Sequence, residues 1–212
     1  MGTFVLFNTL IFYTYYAFFR CVPAVRCAER GVLAGCCWLA HVVLVSELLG
    51  TIGWLRKPAI IIVSLAILAI FWALIVRARS FSRRTEQSLF LAALLASPVN
   101  ILFAVILAGA LALILCCTMA FPPRVVDELT YHLPRAYMYV QAGGFVNFPK
   151  DSFLPFFYPF NAELLFVWTV LLSGSTRWVE IGQLLVGCWG GGVFYMMARE
   201  QGMKRADAGM FP

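Results

Sequence analysis

The sequence predicts an all-α integral membrane protein with about five transmembrane helices and further helices in one large external loop. Of its 212 residues, 62% are hydrophobic and only 12% are charged, and the mean hydropathy is +0.87. A soluble domain usually carries roughly a quarter charged residues. The charges here lie in short clusters between long uncharged runs, as in loops between spans. We therefore assign the net charge of +6 to topology and anionic lipid, and not to nucleic acid.

Four apolar stretches before residue 122 approach or exceed the roughly 20 residues that a helix needs to cross a bilayer. They cover residues 3–19, 32–55, 58–76 and 88–121, and a fifth covers residues 181–198. The fourth stretch is too long for one upright helix. Pro98 divides it, leaving residues 88–97 for an interfacial helix and residues 100–121 for a span.

Orientation follows from the basic residues, because Lys and Arg concentrate in short cytoplasmic loops. One such loop is marked by four arginines, Arg77, Arg79, Arg83 and Arg84. If this loop is inside, alternation of the spans places the N-terminus and residues 122–176 outside. Ten of the sixteen basic residues then lie inside. Arg56 and Lys57 are left outside, against the rule.

The external segment opens with the sequence PPRVVDELTYHLPRA, directly after a predicted span. Ionisable side chains beside hydrocarbon are costly, so the adjacent acids Asp127 and Glu128 favour a functional interpretation. The structural alternative is that Asp127 is a helix N-cap and Glu128 a favourable charge in a first helical turn. His132 taken alone fits a hydrogen-bonding residue at the interface.

A helix lying on the membrane surface is predicted to follow this motif. Its apolar face is formed by residues at helical spacing, Leu133, Ala136, Tyr137 and Val140. Arg135 and Gln141 lie off that face. Aromatic residues and prolines then alternate over residues 145–160, which either anchors an interfacial loop or forms an apolar wall for a lipid chain. Residues 164–172 are apolar but too short for a span, so we expect them at the outer interface.

This order of features resembles the N-terminal part of the GT-C membrane glycosyltransferases over roughly residues 110–207. The matching features are a span, the DELTYHLPRA motif, an aromatic and proline-rich loop, YPFNAELLFVW, a Gly-rich span and AREQGMKRADA. The resemblance is to bacterial family-39-like proteins, akin to protein O-mannosyltransferases and the lipid A aminoarabinose transferase. It implies transfer of a sugar from a polyprenyl-phosphate donor to a hydroxyl of a glycan, lipid or protein acceptor, with inversion. The implied location is the external face of a bacterial cytoplasmic membrane.

The resemblance also implies which residues carry the chemistry. The family has an essential acid directly after a transmembrane helix, and by position this residue is Asp127, the expected general base. Glu128 is the second member of the acidic pair. The departing phosphate needs cationic or hydrogen-bonding partners, for which Arg135, Arg124 and Lys150 are the candidates.

Three further residues of the matching stretches have implied roles near the substrate. Tyr131 and His132 belong to the motif and either orient the acid or bind sugar hydroxyls. Glu163 either caps an interfacial helix, which we favour, or lines the same cavity. No resident cofactor is implied. A divalent metal is left unassigned, because some oligosaccharyltransferases of the superfamily use one whereas the mannosyltransferase-like branch generally does not.

A different class of function rests on His41 and Glu47, which lie near the middle of the span over residues 32–55. Ionisable side chains there are expensive and indicate either a helix-to-helix hydrogen bond or a proton or ion path. The two residues are six apart, about 240° around a helix, so they do not share a face. An ion-coupled permease using both is the alternative function, and a non-enzymatic membrane scaffold is the third.

The resemblance divides the chain into an N-terminal three-helix segment, residues 1–87, and the start of a GT-C-like core, residues 88–212. It leaves the first three spans unexplained. Because the family continues with further spans, we expect this chain to be the N-terminal portion of a longer enzyme.

Overall fold

The computed structural model describes residues 1–22, 25, 27–78, 98–121, 131–146 and 161–203, and every regular element within these ranges is a helix. The first four are α1 (Gly2–Arg20), α2 (Cys27–Thr51), α3 (Lys57–Ala78) and α4 (Pro98–Ala120). They are followed by α5 (Leu133–Ala142), α6 (Asn161–Ser173), a short 3-10 helix (Thr176–Trp178) and α7 (Val179–Glu200). The predicted all-α class is confirmed for this part of the chain.

Within the part of the chain that the structure describes, four helices are long and apolar enough to cross a membrane: Gly2–Arg20, Glu29–Thr51, Lys57–Ala78 and Thr176–Ala198. Their number and length indicate a membrane protein. The remaining predicted span corresponds to α4, whose described residues contribute the shorter apolar stretch Ala108–Ala120. The interfacial helix predicted over residues 88–97 lies outside the described residues.

Proline and glycine set several helix boundaries. Helix α4 begins at Pro98, as the sequence predicts, because proline lacks the N–H that the first turn would leave unbonded. Pro134 is likewise accommodated in the first turn of α5. Helix α2 ends at Thr51, although its apolar run continues to Leu55. The reason is Gly53, whose φ of 74° turns the chain into a conformation that other residues rarely adopt.

Helix α6 is enclosed by its neighbours, since it contacts α1, α2, α5 and α7. Its buried apolar side chains are Leu164, Phe166, Val167, Trp168, Val170 and Leu172. A helix that is apolar and covered on most of its faces belongs to a bundle interior. The structure places residues 164–172 inside the bundle, and their position at the outer interface stays a prediction. The helix is too short to span a bilayer, yet it packs inside the bundle because α1 and α2 provide apolar partners for it.

A buried amide links α6 to the first two helices. Asn8 Oδ1, on α1, accepts hydrogen bonds from Trp38 Nε1 at 2.7 Å and from Trp168 Nε1 at 3.2 Å. The Asn8 amide nitrogen donates to the carbonyl oxygen of Phe4 at 2.8 Å. The ring of Phe7 stacks on Trp168, with centroids 6.2 Å apart. One asparagine thus satisfies the polar atoms of two tryptophans from different helices.

The turn between α2 and α3 binds the ends of two other helices. Leu55 N donates to the Gly143 carbonyl at 2.7 Å, and Phe145 N donates to the Gly50 carbonyl at 3.0 Å. Lys57 Nζ donates to the Leu172 carbonyl, in the last turn of α6, at 3.2 Å. We call the end of the bundle that carries this turn, residues 52–56, the turn end. The C-terminal ends of α5 and α6 lie there as well.

Helix α4 makes its principal contacts with the 3-10 helix and α7. Thr118 Oγ1, close to the end of α4, donates to Glu180 Oε2 at 2.6 Å. Most of its described side chains are exposed, including those of Ile101, Leu102 and Leu113. An apolar helix with this exposure presents its surface to lipid in a membrane.

Candidate functional site

The predicted site residues fall into two groups. Asp127, Glu128, Arg124 and Lys150 lie outside the described residues. The structure describes the other four and brings three of them into one hydrogen-bonded cluster, formed by His132, Arg135 and Glu163. The ring of Tyr131 lies beside this cluster, with its centroid 4.1 Å from that of His132 and its plane tilted by 43°.

The cluster joins α5 to α6. Tyr131 and His132 form a wider helical turn that leads into α5, and Arg135 follows in the first turn of α5 itself. Glu163 lies in the first turn of α6. Because the two helices pack against each other, residues 28 positions apart in the sequence meet side chain to side chain.

Arg135 and Glu163 form a buried ion pair. Arg135 Nη1 donates to Glu163 Oε1 at 2.9 Å, and the two side chains are 1% and 0% exposed. Removing two charges from water is expensive, so a pair in this position requires close geometry and further hydrogen bonds. This burial overturns the predicted helix face, which put Arg135 on the polar side. The carboxylate of α6 draws the guanidinium inward, whereas Tyr137, predicted on the apolar face, is exposed.

His132 shares the same carboxylate oxygen. Its Nδ1 lies 3.1 Å from Glu163 Oε1, and its side chain is 23% exposed. An ionised carboxylate only accepts hydrogen bonds, so Nδ1 carries the proton in this contact. In the neutral ring, Nε2 is then the acceptor. The ring of Phe166 meets His132 edge-on at 5.9 Å and fixes the imidazole from the α6 side.

Glu163 Oε1 is bonded to His132 and Arg135, and among the described residues its buried Oε2 has no hydrogen-bond partner. Its charge lies in the first turn of α6, where the helix dipole favours an anion. The carboxylate thus lies with the other described site residues, and the helix-capping role favoured from sequence stays a prediction.

Tyr139 extends the cluster toward α2. Its side chain is buried one turn beyond Arg135, and burial raises the pKa of its hydroxyl. The charge of Arg135 acts in the opposite direction, while the carboxylates of Glu163 and Glu47 raise the pKa further. Glu47 of α2 therefore lies within electrostatic reach of the helix that follows the acidic motif. Sequence spacing offered no signal for this proximity, because it involves side chains more than ninety residues apart.

His41 belongs to a different part of the bundle. Its Nδ1 lies 2.9 Å from the Tyr15 hydroxyl and its Nε2 lies 2.9 Å from the Ser64 hydroxyl. These contacts join α1, α2 and α3, which confirms the interpretation of His41 as a helix-to-helix hydrogen-bonding residue. An ion path that uses both His41 and Glu47 stays a prediction.

The described residues contain no group of three His, Cys, Asp or Glu side chains placed to hold a metal ion. The acids at positions 127 and 128 lie outside that search. Chemically, the described cluster offers a fixed imidazole and a buried charge pair that holds two helices together.

Comparison with known proteins assigns no family to the chain. No protein-family model matches it, and no curated protein or solved structure is similar enough to count as a match.

Proposed function

We propose that the chain is the N-terminal portion of a GT-C-type glycosyltransferase that uses a polyprenyl-phosphate-linked sugar. The observation that carries the proposal is the cluster of His132, Arg135 and Glu163. It anchors the helix that directly follows the acidic pair Asp127–Glu128 to a second helix that belongs to the same resemblance. Two separate stretches with family resemblance, DELTYHLPRA and NAELLFVW, thus meet through their polar side chains.

The proposed reaction proceeds at the external face of the membrane. The acceptor hydroxyl oxygen attacks the anomeric carbon and its proton passes to Asp127. The bond between the anomeric carbon and the phosphate oxygen breaks, and its electron pair leaves with the polyprenyl phosphate. Attack from the side opposite to the leaving group inverts the configuration at that carbon. Glu128, as the second acid of the pair, lies beside the base in sequence.

The other residues fall into two groups: one group positions the helices and the other contacts the substrate. Arg135 is buried against Glu163, which favours a positioning role for it and leaves Arg124 and Lys150 as partners of the departing phosphate. His132 is partly exposed, and when its Nδ1–H donates to Glu163, Nε2 of the neutral ring can accept a hydrogen bond from a sugar hydroxyl. The tilted ring of Tyr131 lies beside His132 and provides an aromatic surface there.

The test is transfer of radiolabelled sugar from polyprenyl-phosphate donors in membranes that carry the protein expressed from its complete gene. Asp127→Asn is expected to lower the rate by about a hundredfold or more, since a positioned base typically contributes about 10²–10⁴. The matched control is Asp151→Asn, which removes an acid from the same external segment outside the motif. We expect the control to retain transfer.

Two results would contradict the proposal. Transfer that survives Asp127→Asn at the parental rate, with equal protein in the membrane, would remove Asp127 from the mechanism. If the parent protein transfers no sugar from any polyprenyl donor tested, the proposed reaction class is ruled out.

A further inference from the structure

We propose that the α2–α3 turn with its flanking residues, positions 50–57, is the positioning element of the site. In this view it fixes α5 and α6 relative to each other, and with them His132, Arg135 and Glu163. The expected effect on sugar transfer rests on the proposed function, whereas the expected effect on how α5 and α6 are held does not. The inference also gives a role to the first three spans, which the family resemblance leaves unexplained.

The contact with α5 is made backbone to backbone. Two hydrogen bonds, Leu55 N to the Gly143 carbonyl and Phe145 N to the Gly50 carbonyl, bracket the residue between them, Gly144. A Cβ on Gly144 would lie 2.8 Å from Gly53 Cα and 3.0 Å from the Gly50 carbonyl oxygen. Both are backbone atoms that cannot rotate aside, so the two segments approach this closely only with glycine at position 144.

The contact with α6 is made by a charge. Lys57 Nζ donates to the Leu172 carbonyl, one of the last carbonyls of α6, which have no partner within the helix. The Arg56 side chain lies against Gly143 at the end of α5, where an added Cβ would be 3.4 Å from its Nε. Cations at helix C-termini are favourable because the helix dipole is negative there. Arg56 thus contacts the C-terminal end of α5, and Lys57 contacts the C-terminal end of α6.

This arrangement also accounts for an exception in the charge pattern. Arg56 and Lys57 lie at the turn end, where the distribution of the other basic residues predicts few cations. Their contacts with the ends of α5 and α6 explain why two cations lie at this end of the bundle.

The experiment combines amide hydrogen exchange with transfer kinetics on the full chain in nanodiscs. Two variants separate the turn from the site helices: Gly144→Ala through a steric clash and Lys57→Met through loss of the charge. The matched controls are Gly31→Ala, where an added Cβ meets no atom within 4 Å, and Arg20→Met, which removes an exposed charge at the end of α1. Lys57→Arg tests whether restoring a cation restores the contact.

We expect exchange in α5 to accelerate at least about fivefold in Gly144→Ala, because overpacking forces the backbones apart. In Lys57→Met, exchange at the end of α6 should rise about two- to fivefold, and Lys57→Arg should return it toward the parental rate. The kcat for sugar transfer per folded molecule should fall about ten- to a hundredfold in Gly144→Ala. The KM for the donor should change by less than about twofold, because the turn does not touch the substrate.

The outcomes separate the two proposals. Parental exchange in α5 and α6 of both variants would overturn the positioning role, and so would faster exchange with an unchanged kcat. If the parent transfers no sugar, the proposed function fails and the exchange result alone decides whether the turn holds the helices. If Gly144→Ala does not fold, Lys57→Met and its arginine counterpart decide.

Discussion

Arg135 lies on the face of α5 that meets α6, although its charge would ordinarily place it toward water. The compensating feature is Glu163, whose Oε1 lies 2.9 Å from the guanidinium. A buried pair of this kind is costly to form and still more costly to break on one side, because the remaining charge stays in a low-dielectric environment. The identity of each residue therefore constrains the other.

Neutralising one member of this pair should destabilise the protein. We expect Glu163→Gln to lower the free energy of unfolding by about 3–5 kcal/mol, since it removes the negative charge that offsets the buried guanidinium. Thermal unfolding in detergent, followed by the loss of monomeric protein on size-exclusion chromatography, measures the change.

The double variant Glu163→Gln with Arg135→Met is the internal control. It removes both charges, so its destabilisation should be clearly smaller than the sum of the two single changes. Additive effects would mean that the ion pair contributes little and that packing alone accounts for each loss.

At the scale of elements, Asn8 ties α6 to α1 and α2. Its side-chain oxygen accepts from Trp38 and Trp168, each of which is buried. An indole N–H that loses its acceptor in an apolar interior costs free energy without any compensating hydrogen bond to water. The docking of α6 into the bundle depends on this polar contact as well as on apolar packing.

Replacing Asn8 with leucine should loosen that docking. We expect Asn8→Leu to lower the free energy of unfolding by about 1–3 kcal/mol, because two buried donors lose one shared acceptor. Thr14→Val is the control on the same helix, since the Thr14 hydroxyl bonds only within α1, to the Leu10 carbonyl. Equal thermal shifts in the two variants would argue that Asn8 has no special role in holding α6.

Hydropathy predicted the long helices well, whereas the enclosure of the short helix α6 was not predicted, for physical reasons. The spans of α1, α3 and α7 are visible as apolar runs, because lipid contact requires nonpolar side chains over a fixed length. Helix α6 is equally apolar but short, and the sequence does not reveal that other helices enclose it. The pairing of Arg135 with Glu163 was not predicted, since periodicity describes one helix and carries no information about its partner.

At the scale of the whole molecule, the helices divide the bundle into two ends. The α2–α3 turn, the C-terminal ends of α5 and α6 and the 3-10 helix before α7 lie together at the turn end. Helix α7 then runs away from it, and the Trp189 indole donates to the Val32 carbonyl early in α2 at 2.9 Å. Residues at the end of α7 are therefore expected on the opposite side of the membrane from the turn.

Cysteine labelling tests this division. In a variant without the seven native cysteines, Trp54→Cys at the turn and Gln201→Cys after α7 should react with a membrane-impermeant maleimide from opposite sides of sealed vesicles. Both positions are exposed, so accessibility within the fold does not limit the reaction. Labelling of both from one side would contradict a transmembrane α7.

The enclosure of α6 has a consequence for biosynthesis. A helix of 13 residues is too short to be retained in the bilayer by its own length. Part of its binding surface, however, is formed by α1 and α2, which leave the ribosome more than a hundred residues earlier. This part of the surface can therefore form before α6 is translated.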